Sequence, residues 1–98
     1  MKVIVESPFN LKDDQEKHIV DQVKSMTILD DSITNSQVYF KKDDGEKGDT
    51  IVAEVQLHIP GQVLFASDQN QQFMVAFSSA LDKVKRQLIK AKELRRKH

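Results

Sequence analysis

The sequence of 98 residues has no cysteine and no tryptophan, and it has only two prolines and three glycines. Without cysteine, the fold cannot rest on a disulfide or a cysteine-ligated zinc, and no thiol nucleophile is available. No stretch approaches the roughly 20 consecutive apolar residues that cross a bilayer. The apolar run at residues 3–5 is also too short for the core of a secretory signal. We therefore expect a single cytoplasmic domain, residues 1–98, that makes no contact with membranes.

A net charge is also absent, because 15 Lys and Arg balance 15 Asp and Glu. The balance hides an asymmetry along the chain. Residues 1–50 hold 7 basic and 11 acidic side chains, whereas residues 51–98 hold 8 basic and 4 acidic ones. This pattern disfavours a protein that coats polyanions from all sides and favours one that binds a polyanion through one side.

Four segments are typical of β-strands. In residues 51–59 apolar and polar side chains alternate, which indicates a strand with one buried face. Residues 2–6 contain three consecutive β-branched residues and predict a strand that is buried on both faces. Residues 37–40 and 63–66 predict shorter strands, and Pro60-Gly61 predicts the turn before the last of them.

Two segments have helical periodicity. In residues 11–26 apolar residues recur at helical spacing, and Asp13 and Asp14 lie in the first turn, where carboxylates favour the helix dipole. Residues 71–98 hold a longer apolar stripe of the same period. The predicted capping residues are Asn10 for the first helix and Ser67, Asp68 or Asn70 for the second.

The predicted order is therefore β-α-β-β-β-α. The first two strands are joined by a helix and should be parallel, whereas the hairpin connections make the second, third and fourth strands antiparallel. We expect an α+β two-layer sandwich in which two helices cover one face of a four-stranded mixed sheet.

The last predicted helix separates apolar from basic residues. At about 100° per residue, the cations fall opposite the apolar stripe or along one of its edges. Lys83, Arg86, Lys90 and Lys97 form the opposite face, and Lys85, Lys92 and Arg96 line the edge. The spacing predicts a basic ridge on this helix, and it leaves two roles open: a nucleic-acid surface, or cations that complement the helix dipole and keep the surface soluble.

The segment from residue 55 to residue 92 resembles the ribosome hibernation promoting factors, also known as ribosome-associated inhibitors or sigma-54 modulation proteins. LHIPGQVLFAS is similar to the third strand, turn and fourth strand of that family, and LDKVKRQLIKAK is similar to its helix signature. The opening KVIVES and the order of elements agree as well. At the end of the first helix, SMTILDDSI stands where the family has a lysine-rich pattern.

The resemblance implies a fold similar to double-stranded RNA-binding domains and the short form of the family. It implies binding to the small ribosomal subunit in the channel of mRNA and of the A- and P-site tRNAs, inhibition of translation in stationary or starved cells, and a part in ribosome dimerisation. The implied rRNA-binding residues are Lys83, Arg86, Lys90, Lys92, Lys85, Lys97 and Lys24.

Two other functions stay open. The outward side of the sheet, with Val52 and His58, would suit a protein–protein adaptor or an oligomerising module. A general binder of double-stranded RNA would use the same basic ridge without preferring ribosomes. A single-strand stacking platform is disfavoured, because Phe65, Phe73 and Phe77 are predicted to be core residues. Of the neighbours Tyr39 and Phe40, one must point outward, and that one is a candidate for a base contact.

No catalytic pattern emerges from the remaining polar residues. The three histidines, His18, His58 and His98, share no metal-ligand spacing and have no nucleophile nearby in sequence. The segment 41–50, with two glycines among seven charges, is predicted to be a solvated loop, and its acidic residues miss the spacing of an EF-hand. We expect a protein that is not an enzyme and that takes no cofactor, metal or small-molecule substrate.

Overall fold

The computed structural model describes residues 1–45 and 48–96. The elements follow the predicted order: β1 Lys2–Glu6, α1 Asp13–Lys24, β2 Asn35–Gly45, β3 Gly48–Ile59, β4 Gln62–Asn70 and α2 Phe73–Arg96, with a short 3-10 helix, Ser25–Ile28, after α1. The strands lie side by side in the order β1-β2-β3-β4. The β1–β2 pair is parallel and the other two pairs are antiparallel. The predicted α+β sandwich is confirmed.

Strand alternation assigns the two faces of the sheet. Val38 of β2 pairs with Val55 of β3, which pairs with Ala66 of β4, and all three side chains are buried beneath the helices. The intervening residues point to the other side, which no element of the described chain covers, and we call this side the open face. Buried side chains of α1 and α2, among them Ile19, Val23, Phe77, Val84 and Leu88, complete the core. The core therefore lies between the helices and one face of the sheet.

An aromatic cluster closes one end of this core. Phe9, from the connection between β1 and α1, packs against Phe40 and Phe73 with ring centroids 5.8 and 5.0 Å away. Phe40 and Phe73 meet edge to face at 5.5 Å, a preferred geometry for aromatic rings. Phe77 is almost fully buried, so the prediction of a core position is confirmed for Phe77, and Phe73 is half-buried in the same layer.

The prediction for Phe65 was wrong. Its side chain lies on the open face and is 45% exposed. Leu64 and Ala66 pair with Leu57 and Val55 on the core side, and alternation along β4 then turns Phe65 outward. Tyr39 likewise lies on the open face, whereas Phe40 is buried.

The charged segment 41–50 is not a loop over most of its length. Lys42 pairs with Ile51, and Asp44 pairs with Asp49, so β2 and β3 continue as a two-stranded arm. The side-chain amide of Gln69 donates to Asp43 Oδ2 at 3.1 Å and to Thr50 Oγ1 at 2.6 Å, which holds the base of the arm to β4. Backbone pairing continued from a long hairpin overrides the low β-propensity of the acidic residues.

The ends of the helices differ in part from the prediction. Ser67, Asp68 and Asn70 all belong to β4, so none of the three predicted residues is the N-cap of α2, which begins at Phe73. Asn70 Oδ1 accepts a hydrogen bond from the Gln72 amide at 3.0 Å in the connection between the two elements. At α1 the N-cap is Lys12 rather than Asn10, and Gln15 Oε1 accepts from the Lys12 amide at 3.0 Å. In the part of the chain that the structure describes, no helix is long and apolar enough to cross a membrane.

Pro60 and Gly61 form the turn between β3 and β4, as predicted. Gly61 has φ of 77°, a value that costs glycine little because it has no Cβ. This turn sets the register in which Ile59 pairs with Gln62, and hence which residues of β4 face the core.

We expect Leu88→Ala to lower the free energy of unfolding by about 2–5 kcal/mol, because the side chain of Leu88 lies on the buried side of α2 and its truncation leaves a cavity. Urea unfolding followed by circular dichroism measures the change. Ile28→Ala is the control, since Ile28 is 85% exposed and its truncation should change stability by no more than about 0.5 kcal/mol. Equal losses in the two variants would contradict this description of the core.

Candidate nucleic-acid interface

The basic residues of α2 occupy its outer surface because its inner surface is committed to the sheet. Ala80, Leu81, Val84, Leu88 and Ala91 recur at helical spacing and are buried. The lysines and arginines from residue 83 to residue 95 are exposed, except Lys92, which is half-buried. The structure divides them between two sides of the helix and gives them different partners.

Lys83 lies on the side of α2 that borders β4. Its ammonium group is 3.3 Å from a carboxylate oxygen of Asp68 and donates a hydrogen bond of 3.3 Å to the Ser67 carbonyl. The pKa of Asp68 is lowered from its ordinary value of 3.8, first by the hydrogen bond from the Gln69 amide and then by Lys83. Lys83 is nevertheless half-exposed, so its charge is also accessible to an external anion.

Arg86 lies on the outermost surface of α2. It pairs with Asp82 one turn earlier at 2.6 Å, with the two side chains 75% and 56% exposed. An exposed pair of this spacing contributes only about 0.3–0.5 kcal/mol. Asp82 therefore holds the guanidinium group weakly.

Lys90 and Lys85 are free of carboxylates: within the described residues neither has an acidic oxygen within 4.0 Å. Lys90 borders β4, where it lines a depression with Gln62 and Leu94. Lys85 faces α1 and lines a groove of about 210 Å³ with Gln22 and Ser25. Among the α2 side chains that the structure describes, these two ammonium groups are the cations with neither a carboxylate nor a carbonyl partner.

Lys92 and Arg95 hold the end of α2 to the segment before β2. Lys92 donates to the Leu29 carbonyl, and Arg95 pairs with Asp30, whose side chain is only 6% exposed. Ser32 completes the network, since its amide and hydroxyl both donate to Asp30 Oδ1, at 3.0 and 2.6 Å. The contact of Asp30 with Arg95 was not predicted, because the two residues are distant in sequence.

Burial by itself would raise the pKa of Asp30. The hydrogen bonds from Ser32 and the contacts with Arg95 outweigh burial and hold the pKa below its ordinary value of 3.8. The carboxylate therefore stays charged at neutral pH and is part of the structural framework.

The remaining predicted cations lie apart from this cluster. Lys24 is the exposed last residue of α1. Lys97 lies outside the described residues. The described part of the chain has no group of three or more His, Cys, Asp or Glu side chains that could hold a metal. What the arrangement supports chemically is ionic contact with phosphates along the outer surface of α2.

The family model of the Sigma 54 modulation protein / S30EA ribosomal protein matches residues 3–96. The chain belongs to this family. The match includes every described element, so the family assignment covers both the sheet and the basic helix. No curated protein matches the chain in sequence.

Two solved structures share the fold. A ribosomal subunit interface protein from Coxiella burnetii has a TM-score of 0.81 at 14% identity, with 95% of this chain and 99% of that chain covered. The N-terminal domain of Protein Y from Thermus thermophilus has a TM-score of 0.74 at 14% identity, with 92% and 98% covered. At this identity the likeness shows the fold alone. Family membership confirms the resemblance found in the sequence.

We expect Asp30→Asn to remove a pH-dependent part of the stability of this family member. Because the pKa of Asp30 is lower in the folded than in the unfolded state, its contribution is present above a pH of about 4 and is lost as the pH falls through the folded pKa. The variant should be less stable than the parent at pH 7 by about 1–3 kcal/mol, and the difference should shrink on acidification. Urea unfolding at a series of pH values measures it.

Asp31→Asn is the matched control, because Asp31 is the exposed neighbour of Asp30. This control should be about as stable as the parent protein at pH 7, because the Asp31 side chain is exposed. A gap between parent and Asp30→Asn that stayed constant from pH 7 to pH 2 would contradict the assigned role.

Proposed function

We propose that this protein is a ribosome hibernation factor that binds the small ribosomal subunit and inhibits translation in stationary or starved cells. The observation that carries the proposal is the outward row of cations on α2 in a member of the S30EA ribosomal protein family. The binding site on the small subunit would lie near the channel of mRNA and of the A- and P-site tRNAs, as the family resemblance implies. The protein would act in the cytoplasm as a single domain, residues 1–98, by occupying that channel and not by catalysis.

Lys85 and Lys90 are the leading candidates for contacts with rRNA phosphates. Both are exposed and lack acidic partners within the described residues, so an RNA phosphate would displace no internal contact. They lie on different sides of α2, towards α1 and towards β4. Contacts on both sides would fix the orientation of the helix on folded RNA, since phosphate contacts position a protein without reading bases.

Lys83 and Arg86 form a second group that can exchange partners. Their carboxylate partners are Asp68 and Asp82, and side chains in both pairs are substantially exposed. Because exposed ion pairs contribute little to stability, rRNA phosphates can replace these carboxylates at little cost. The charge-assisted bond of a guanidinium with phosphate can be bidentate, which makes Arg86 the stronger ligand of the two.

Lys92 and Lys24 complete the proposed surface with less support. Lys92 would have to release the Leu29 carbonyl before it reached RNA, so its main effect should be on stability. Lys24 is exposed at the end of α1, but α1 holds four acidic and two basic side chains, with Asp21 on the turn before Lys24. Lys97 stays in the proposal on the ground of its sequence position alone.

We expect Lys85→Gln with Lys90→Gln to weaken binding to isolated small subunits and to reduce its dependence on salt. Each lost phosphate contact should lower the slope of log affinity against log salt by about 0.7–0.9. Cosedimentation with small subunits across a salt series measures both quantities. Lys2→Gln with Lys41→Gln is the charge-matched control, because these lysines lie on the open face of the sheet, and it should leave the slope unchanged.

The outcome that would contradict the proposal is recovery of the unaltered protein only in free-protein fractions at low salt. Equally tight binding to a plain RNA duplex and to small subunits would instead favour a general binder of double-stranded RNA. Equal loss of binding in the two double variants would mean that binding depends on the net charge of the protein and not on the lysines of α2.

A second candidate function is a protein–protein adaptor that uses the open face of the sheet. Val63 and Phe65 are 54% and 45% exposed there, and apolar side chains at adjacent outward positions of one strand are typical of contact surfaces. Val52 and His58, the residues first considered for this function, do lie on the open face but are partly covered by their neighbours.

Val63→Ser with Phe65→Ser separates the two functions. Under the ribosome proposal, this variant should inhibit an in vitro translation reaction as well as the parent protein, because α2 is on the other side of the sheet. Inhibition that depended on Val63 and Phe65 and tolerated the change at Lys85 and Lys90 would favour the adaptor function.

A further inference from the structure

Strand β4 is an edge of the sheet, and edges expose unpaired backbone groups. In an antiparallel pair, alternate residues of an edge strand direct their N–H and C=O groups to the neighbouring strand and away from it. Both backbone groups of Phe65 point away from β3, since they bond to Gln87 of α2. Residues 63, 67 and 69 are in phase with Phe65 and share this outward direction.

Side chains occupy much of this edge. Gln87 Oε1 accepts from the Phe65 amide at 3.3 Å, and Gln87 Nε2 donates to the Phe65 carbonyl at 2.8 Å. One turn earlier on α2, Lys83 donates to the Ser67 carbonyl at 3.3 Å. At the next outward residue, the amide of Gln69 donates to Asp68 Oδ1 at 2.8 Å.

Gln87 takes the place that a neighbouring strand would take. In a hydrogen-bonded pair of an antiparallel ladder, two residues exchange both of their N–H···O bonds. The carboxamide of Gln87 makes the same exchange with Phe65 through one acceptor and one donor. Any strand that added to β4 would first have to displace this carboxamide.

Strand β4 is well suited to pair with a second copy of the same chain. β4 is nine residues long, and its outward side chains Val63 and Phe65 are exposed on the open face. In an antiparallel arrangement about a two-fold axis at Phe65, each Phe65 would exchange hydrogen bonds with its own copy. Val63 would then lie opposite Ser67 of that copy, and the apolar side chains of the two chains would form one continuous surface.

We propose that Gln87 and Lys83 guard the β4 edge and keep the protein from pairing with a second copy of itself through this strand. These two side chains reach over from α2 and make hydrogen bonds to the backbone of β4. The protection therefore does not come from charged residues on the strand itself. Because the readouts are properties of the free protein, this inference does not depend on ribosome binding.

Hydrogen exchange of the unaltered protein provides the first test. The amide of Phe65 donates to Gln87, whereas the outward amides of Val63 and Ser67 have no hydrogen-bond partner among the described residues. After correction for intrinsic rates, we expect the Phe65 amide to exchange about fivefold more slowly than these two, the factor that corresponds to one net hydrogen bond. Equal rates at the three positions would overturn the proposal without any substitution.

The second test removes the guard by Gln87→Leu with Lys83→Met. Sedimentation velocity should show a monomer for the parent protein and a reversible dimer for the variant between about 10 and 500 µM, the range of weak complexes. Lys90→Leu is the control for an added apolar side chain on the same side of α2, and it should stay monomeric. A variant that stayed monomeric over this range while retaining its helical circular dichroism would overturn the proposal.

Ser67→Pro, added to the variant with Gln87→Leu and Lys83→Met, identifies the surface through which the two copies pair. Proline removes the outward N–H of residue 67, and it is tolerated on an edge strand because that N–H takes no part in the ladder with β3. We expect this change to restore the monomer. A dimer that persisted would show pairing through another surface and would also overturn the proposal.

Discussion

Burial of one side of α2 against β3 and β4 is the interaction on which the rest of the structure depends. The domain has neither disulfides nor a described metal cluster to supplement its core, so apolar contact between the helices and the sheet must supply most of its stability. Once that side of the helix is committed, the lysines and arginines between its apolar positions can lie only at its borders or on its outer surface. The basic surface of this family member is thus a geometric consequence of its core.

The basic residues of α2 make different contacts because different parts of α2 face different elements. Towards its end, Lys92 and Arg95 meet a carbonyl and a buried carboxylate and hold the helix to the segment before β2. In the middle of α2, Lys83 and the neutral Gln87 donate hydrogen bonds to backbone carbonyls of β4. Lys85 and Lys90 have no contacts with acidic groups within the described residues, so an external polyanion reaches them without displacing a carboxylate. Basic residues that look equivalent in the sequence of α2 therefore differ in the internal contacts that they would lose on binding a polyanion.

The two sides of the domain differ in chemical character for the same reason. The helical side presents α2 and its cations, whereas the open face presents amides, hydroxyls, the ion pair of Lys41 with Glu54 and a few apolar side chains such as Val63 and Phe65. The proposed RNA surface and the proposed protein-contact surface lie on opposite sides of the domain because the sheet separates them. The β4 edge lies between the two, and side chains from the helical side cover it.

The sequence by itself determined the order of elements, the mixed topology of the sheet and the amphipathic nature of α2, because these follow from local periodicity and from the lengths of the connections. It did not determine the arm of residues 41–45 and 48–50, where pairing between strands overrides composition, or the outward position of Phe65, which depends on the register of β4. Only the tertiary structure decided which cations are free, since Asp30 and Arg95, or Gln87 and Phe65, are far apart along the chain. Periodicity assigns a residue to a face of its own element, but its partners come from the elements packed against that face.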